Sequence, residues 1–152
     1  MHQHPDRMPP LKLEDMDAVQ KTAAEALIAG PRKAVKGPFI ALLRSPLLMD
    51  RLQRVGEYIR FDSSLSPRIS EFTMCVVSRA CTQQFEWFTH VPLAMKEGTS
   101  AETIEALRCG SRPNNMHADE ALVYDFTQEL MAHHGVCDAT YAAAVERFGE
   151  RG

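Results

Sequence analysis

Apolar residues recur at helical spacing along most of the chain, and proline, glycine and serine interrupt them at short intervals. No sustained alternation of apolar and polar residues runs between turn signals, so the pattern predicts an all-α fold. The first predicted helix runs from about Leu13 to Ala29, with Glu14, Asp15 and Asp17 in its first turn, where the dipole favours anions, and Gly30-Pro31 at its end. Gly37-Pro38 opens a short apolar turn through Leu43. Ser45-Pro46 then supplies an N-cap and a proline at the first helical position for a helix reaching about Phe61. Its expected buried stripe is Leu48, Leu52, Val55 and Ile59, spaced four, three and four. Ser66-Pro67 repeats the start signal for a helix to about Ala80, with Ile69, Phe72, Thr73, Val76, Val77 and Ala80 as its core stripe. A break near Cys81-Thr82 separates it from a helix over Gln83 to Glu97 that Gly98 ends. Ser100 caps the next helix, which Gly110 terminates, and Arg112 to His117 form a loop. Ala118 to His134 form a helix stopped by Gly135, and Asp138 caps a last one through about Phe148.

With 152 residues, the chain is expected to form one domain, 1–152, able to build a core without staples. A net charge of −3 supplies no field to hold a polyanion, which argues against a nucleic-acid partner. Cys75, Cys81, Cys109 and Cys137 form no CxxC pair, so they point to neither a zinc site nor a dithiol centre, and free thiols fit a reducing compartment. The start Met1-His2-Gln3-His4-Pro5-Asp6 lacks the basic and apolar runs of a signal peptide, and no window reaches the ~20 apolar residues that span a bilayer. A cytoplasmic protein without a membrane partner is the expectation.

Two neighbouring helices depart from ordinary amphipathic patterning. Beside the core stripe of the first lie Glu71, Cys75, Ser78 and Thr82, small or neutral apart from the glutamate, so Glu71 is expected to be at least partly buried. Two readings stand for it: a carboxyl pushed towards its neutral form and able to donate a proton, or a carboxylate paired with Arg68 or Arg79. In the second helix Gln83, Glu86 and His90, spaced three and four, share one face in an apolar setting that includes Phe85, Trp87 and Phe88. A glutamate and an imidazole one turn apart can form an acid–base pair, or can simply satisfy a core histidine. Pro92 leaves the Phe88 carbonyl without its helical donor. Glu86 and His90 supply two groups of metal-ligand type, but no motif places a third, so no metal is expected. His117, His133 and His134 read as exposed, and Asn114-Asn115 with Met116 as a turn.

The segment EFTMCVVSRACTQQFEWFTHVPLAMKEGTSAETIEALRCG, which holds Glu71, Gln83, Glu86 and His90, resembles the carboxymuconolactone decarboxylase family. DEALVYDFTQEL and DATYAAAVERFGERG are similar to that family too, so the likeness covers most of the chain after about Ser66. The resemblance implies a compact multi-helix fold of the alkylhydroperoxidase D-like kind and self-association as a homotrimer or homohexamer. The redox branch of that superfamily carries two cysteines where this chain has Gln83 and Glu86, so the resemblance is to the branch without CxxC. That branch implies a cofactor-free decarboxylation of a small carboxylated lactone or ring-cleavage product from aromatic degradation. His90 would be the principal acid–base group, Glu86 its orienting partner or a second proton carrier, and Glu71 a proton relay. Gln83 would donate to the oxyanion, Arg79 would meet the substrate carboxylate, and Trp87 would line the substrate site. The family continues into a further apolar helix beyond the position of Gly152, which implies an apolar groove in the chain as given. Two other classes compete: an alkylhydroperoxidase-like oxidoreductase using Cys81 or another thiol, and a non-catalytic oligomeric helical module.

Overall fold

The computed structural model describes residues 6–152, so the amino-terminal residues read for a targeting signal lie, all but Asp6, outside the described residues. It is all-helical, with eight α-helices and no strand among the described residues. None of these helices is long and apolar enough to cross a membrane. The chain divides into two compact units, one ending at Asp62 and one spanning Ser63–Gly152.

In the first unit a short 3-10 turn, Leu13–Asp15, precedes α1, Ala18–Ala29. The two are separate because Asp17, expected inside a first turn, is the N-cap of α1: it accepts from the Gln20 N–H while the Gln20 side chain accepts from the Asp17 N–H. Helix α2 is Pro38–Leu42 and α3 is Pro46–Glu57, which runs into a π turn at Tyr58–Asp62. Ala24, Leu27, Leu43 and Met49 form the core of this unit. The stripe expected to be buried on α3 is turned outward: Leu48 is 47%, Leu52 46%, Val55 58% and Ile59 52% exposed. Met49 and Gln53 are the buried residues of α3, and Arg32 lies against Gly56. At about 100° per residue these three sit roughly a quarter-turn round from the expected stripe. The apolar arc of α3 is therefore wider than the face its own unit covers.

The second unit contains α4, Pro67–Ala80; α5, Gln84–Lys96; α6, Ala101–Arg108; α7, Ala118–His133; and α8, Asp138–Phe148. Ile69, Phe72, Cys75, Val76, Ala94, Ile104, Leu107 and Val123 make its core, with Trp87, Met116 and Phe148 packed against it. Of the stripe expected on α4, Ile69, Phe72 and Val76 are buried, whereas Thr73 and Val77 line an apolar cavity of about 410 Å³ between α4, α7 and α8 and Ala80 is exposed. Ser66 and Ser100 cap α4 and α6 as expected, accepting from the N–H groups of Ile69 and Thr103. The cap of α8 is Cys137, not Asp138, because Glu129 reaches from α7 to accept from the Cys137 N–H at 2.8 Å. Helix α7 closes with His134 in the left-handed region, one residue before the expected Gly135.

A tight turn sets α4 against α5. The Gln83 N–H donates to the Ser78 carbonyl and the Thr82 N–H to the Arg79 carbonyl, a Schellman closure with Thr82 at φ 52°. The same closure ends α5 at Gly98 and α6 at Gly110, where glycine takes the left-handed conformation without a side-chain clash. Because the turn is so short, α5 folds straight back along α4.

Candidate functional site

The α4–α5 hairpin brings Glu71 level with His90. Glu71 lies ten residues before Cys81 and His90 eight after Thr82, rises of about 15 and 12 Å at ~1.5 Å per residue. Nδ1 of His90 is 2.6 Å from Oε2 of Glu71, across the helix interface. On the other edge of the ring, Nε2 is 3.1 Å from Oε2 of Glu86, one turn earlier on α5. One imidazole thus bridges two carboxyl groups. Side-chain exposure is 11% at Glu71 and 6% at His90 but 36% at Glu86, so the chain of contacts opens to solvent at Glu86.

Both contacts can be hydrogen bonds only if two protons occupy the two gaps. An imidazolium between two carboxylates meets that count, and so does a neutral imidazole with one protonated carboxyl. The two arrangements differ by moving one proton along a bond already made. A group of this kind can hold a proton inside the hairpin and pass it outward through Glu86.

The alternative pairing expected for Glu71 is not what Arg68 and Arg79 do. Arg68 reaches Asp119 at 2.6 Å and Glu120 at 3.0 Å, both at the start of α7. Arg147 adds a second contact to Asp119, at 3.2 Å. Thr99 Oγ1 and the His117 N–H donate to the two oxygens of the fully buried Glu120. This buried ionic cluster ties α4, α7 and α8 together. The sequence pattern does not reveal it: Asp119-Glu120 before an apolar run is a helix-start pattern, and nothing local to it marks the arginine 51 residues away. Burial works to raise the Asp119 pKa, but the hydrogen bond and charge of Arg68, helped by Arg147, outweigh it and hold the carboxyl below its ordinary value.

The three residues expected to meet substrate lie together. Arg79, Gln83 and Trp87 line one open groove of about 640 Å³, with Ser78, Phe88 and Arg108. Arg79 donates from Nε to the Arg108 carbonyl at 3.1 Å, which fixes the plane of its guanidinium. Gln83 is exposed and its side-chain carbonyl accepts from the Phe85 N–H, so its NH2 is the end available for donation. Trp87 is half-buried against the core, next in sequence to Glu86. Of the acid–base group, Glu86 shares the first turn of α5 with Trp87 of the groove.

Among the described residues no group of three or more histidine, cysteine, aspartate or glutamate side chains has the arrangement to hold a metal ion. Cys75 is buried one turn from Glu71, and burial, then the Glu71 charge, pushes its thiol up to about 12. It stays protonated and is no nucleophile. Cys81, Cys109 and Cys137 are exposed. His117, His133 and His134 are exposed, as expected, and Met116 packs on the core.

Comparisons with known protein families, with curated proteins and with solved structures find no match for this chain. The functional reading rests on the residues themselves.

Proposed function

We propose that the chain is a cofactor-free decarboxylase or related lyase, acting on a small carboxylated lactone or ring-cleavage product through acid–base proton transfer. The observation that carries this reading is His90 bridged between a buried and a half-exposed glutamate, on the same α4–α5 hairpin whose residues line a groove offering an arginine, an amide and an indole. The sequence resemblance to the carboxymuconolactone decarboxylase family supports the same chemistry.

In the proposed reaction the bond between the carboxylate carbon and the ring breaks. Its electron pair enters an enolate extended through the unsaturated system, carbon dioxide leaves, and a proton goes to carbon. His90 is the acid–base centre. Glu71 fixes its ring from inside the hairpin, and Glu86, the most exposed of the three, carries the proton between His90 and the substrate. Gln83 donates to the enolate oxygen, Arg79 holds a carboxylate, and Trp87 provides an apolar wall for the ring. After product leaves, Glu86 takes the replacement proton from water. A homotrimer or homohexamer is part of the same reading.

The test is carbon dioxide release from a panel of unsaturated lactone acids and β-keto acids, comparing the purified protein with folded His90→Ala. Release that depends on His90 supports the lyase; no release from any panel member by the folded, assembled protein favours a non-catalytic helical module.

A further inference from the structure

Arg79, Arg108 and Arg112 stand at the ends of α4 and α6 and in the loop after α6, and only two of them are neutralised. Arg108 pairs with Glu105, and Arg112 donates to both oxygens of Asp125, at 3.0 and 2.8 Å. Arg79 meets no carboxylate among the described residues: its Nε donates to the Arg108 carbonyl, and neither terminal nitrogen has an acceptor. Its Nη2 lies over Gly110, 3.1 Å from where a Cβ would stand, so the glycine at φ 74° leaves the guanidinium its place. Besides the groove that it shares with Gln83 and Trp87, Arg79 lines a second cavity, of about 260 Å³, between α4, the end of α6 and α7. Every residue lining this cavity belongs to the second unit, and none is acidic.

We propose that this pocket binds a small oxyanion, with Arg79 as its charge partner and Tyr124 and Gln128 as its neutral donors. Tyr124 and Gln128 lie one turn apart on α7, so they present one face to the cavity. Neither side chain makes a hydrogen bond among the described residues, although the Tyr124 ring lies under the Arg112 guanidinium at 5.7 Å. Ser111 is not a donor here, since its hydroxyl donates to the Ala106 carbonyl at 3.1 Å. A guanidinium edge, an amide and a phenol hydroxyl thus border one space that holds no carboxylate. An anion supplies acceptors for all three, whereas a neutral or cationic ligand leaves the arginine charge unanswered. The buried Val76 and Leu107 line the same space, and an apolar wall strengthens hydrogen bonds made beside it. The volume is below the ~300–1,000 Å³ of pockets for drug-sized molecules, which suits inorganic phosphate or a short-chain carboxylate.

Arg79 is the one residue that this pocket shares with the groove, and anion binding is measured without any substrate, so the proposal and the lyase reading stand or fall separately. Titration calorimetry of the full chain with inorganic phosphate and, separately, with acetate tests it, at constant ionic strength made up with chloride. One equivalent of one of the two anions is expected to saturate within tens of millimolar; phosphate alone assigns a tetrahedral ligand, and acetate alone a carboxylate. Arg79→Gln is expected to weaken that binding about tenfold or more, and Gln128→Leu about threefold to tenfold. Gln83→Leu, in the groove, is expected to leave it unaltered. Circular dichroism checks the fold of each variant. Arg79→Lys, which keeps the charge but loses the fork, and Tyr124→Phe serve where the first variants do not fold, and both are expected to weaken binding. Saturation by neither anion, binding by Gln128→Leu at the parent affinity, or loss of binding in Gln83→Leu overturns the proposal.

Discussion

His90 and Glu71 meet across the α4–α5 interface at 2.6 Å, with the imidazole and the carboxylate both buried. Truncating the carboxylate leaves a ring nitrogen without its partner in a place water does not reach. Glu71→Ala is therefore expected to destabilise the fold by about 1–3 kcal/mol, and Glu71→Gln, which keeps a hydrogen-bonding group, by less. Denaturant unfolding of the two variants checks this. Equal and negligible losses would mean that the contact does not hold the hairpin.

The four cysteines divide by environment. The Cys75 thiol, pushed up to about 12 by burial and by the Glu71 charge, is expected to resist a thiol reagent at pH 8 while Cys81, Cys109 and Cys137 react. A thiol count on native protein should give three, and four after denaturation. Four equivalent fast thiols in the native state would contradict the burial of Cys75.

Arg68 and Arg147 hold Asp119 below its ordinary pKa even though burial opposes them. A carboxyl depressed in the folded state contributes stability that is complete above its unfolded value and is lost as pH falls through the folded one. Asp119→Asn is expected to cost about 3 kcal/mol near neutrality, because the partner charge of Arg68 is then only partly met by Glu120. The deficit should shrink as the parent is acidified below about pH 4. Thermal melts of both proteins from pH 7 downward make the comparison, and a deficit independent of pH would refute the charge pairing.

Thr82 occupies the left-handed position that Gly98 and Gly110 occupy in the matching turns. A β-branched residue pays a backbone cost there that glycine does not. Thr82→Gly is expected to stabilise the protein, by about 0.5–1 kcal/mol after the glycine's greater unfolded-state freedom is allowed for. A lower melting temperature would show that the threonine side chain supplies more than the strain it causes.

Helix starts and stops were legible because their causes are local. Ser66-Pro67, Ser100 and Gly98 act within one turn of their own position, and the helices they bound fall where they predict. Gln83, Glu86 and His90 were legible as a face for the same reason. The partner of His90 on α4 was within reach of pattern reasoning too, since burial of Glu71 follows from its small neighbours. Two things were not legible. The face that α3 buries depends on where α1 and α2 pack, and its apolar arc is wide enough for either choice, so the regularity of the stripe does not pick out the buried face. The partners of Arg68 lie some fifty residues away on α7, and no local rule chooses between them and Glu71.

The most direct test of the acid–base role of His90 and its two glutamates is the reaction in heavy water with the carboxylated substrate that the panel selects. The account predicts one carbon dioxide and one deuterium at the carbon that bore it per turnover, with Glu86→Gln and His90→Ala slowed by about 10²–10⁴. Carbon dioxide release at the parent rate by folded His90→Ala, or deuterium absent from that carbon, would contradict it.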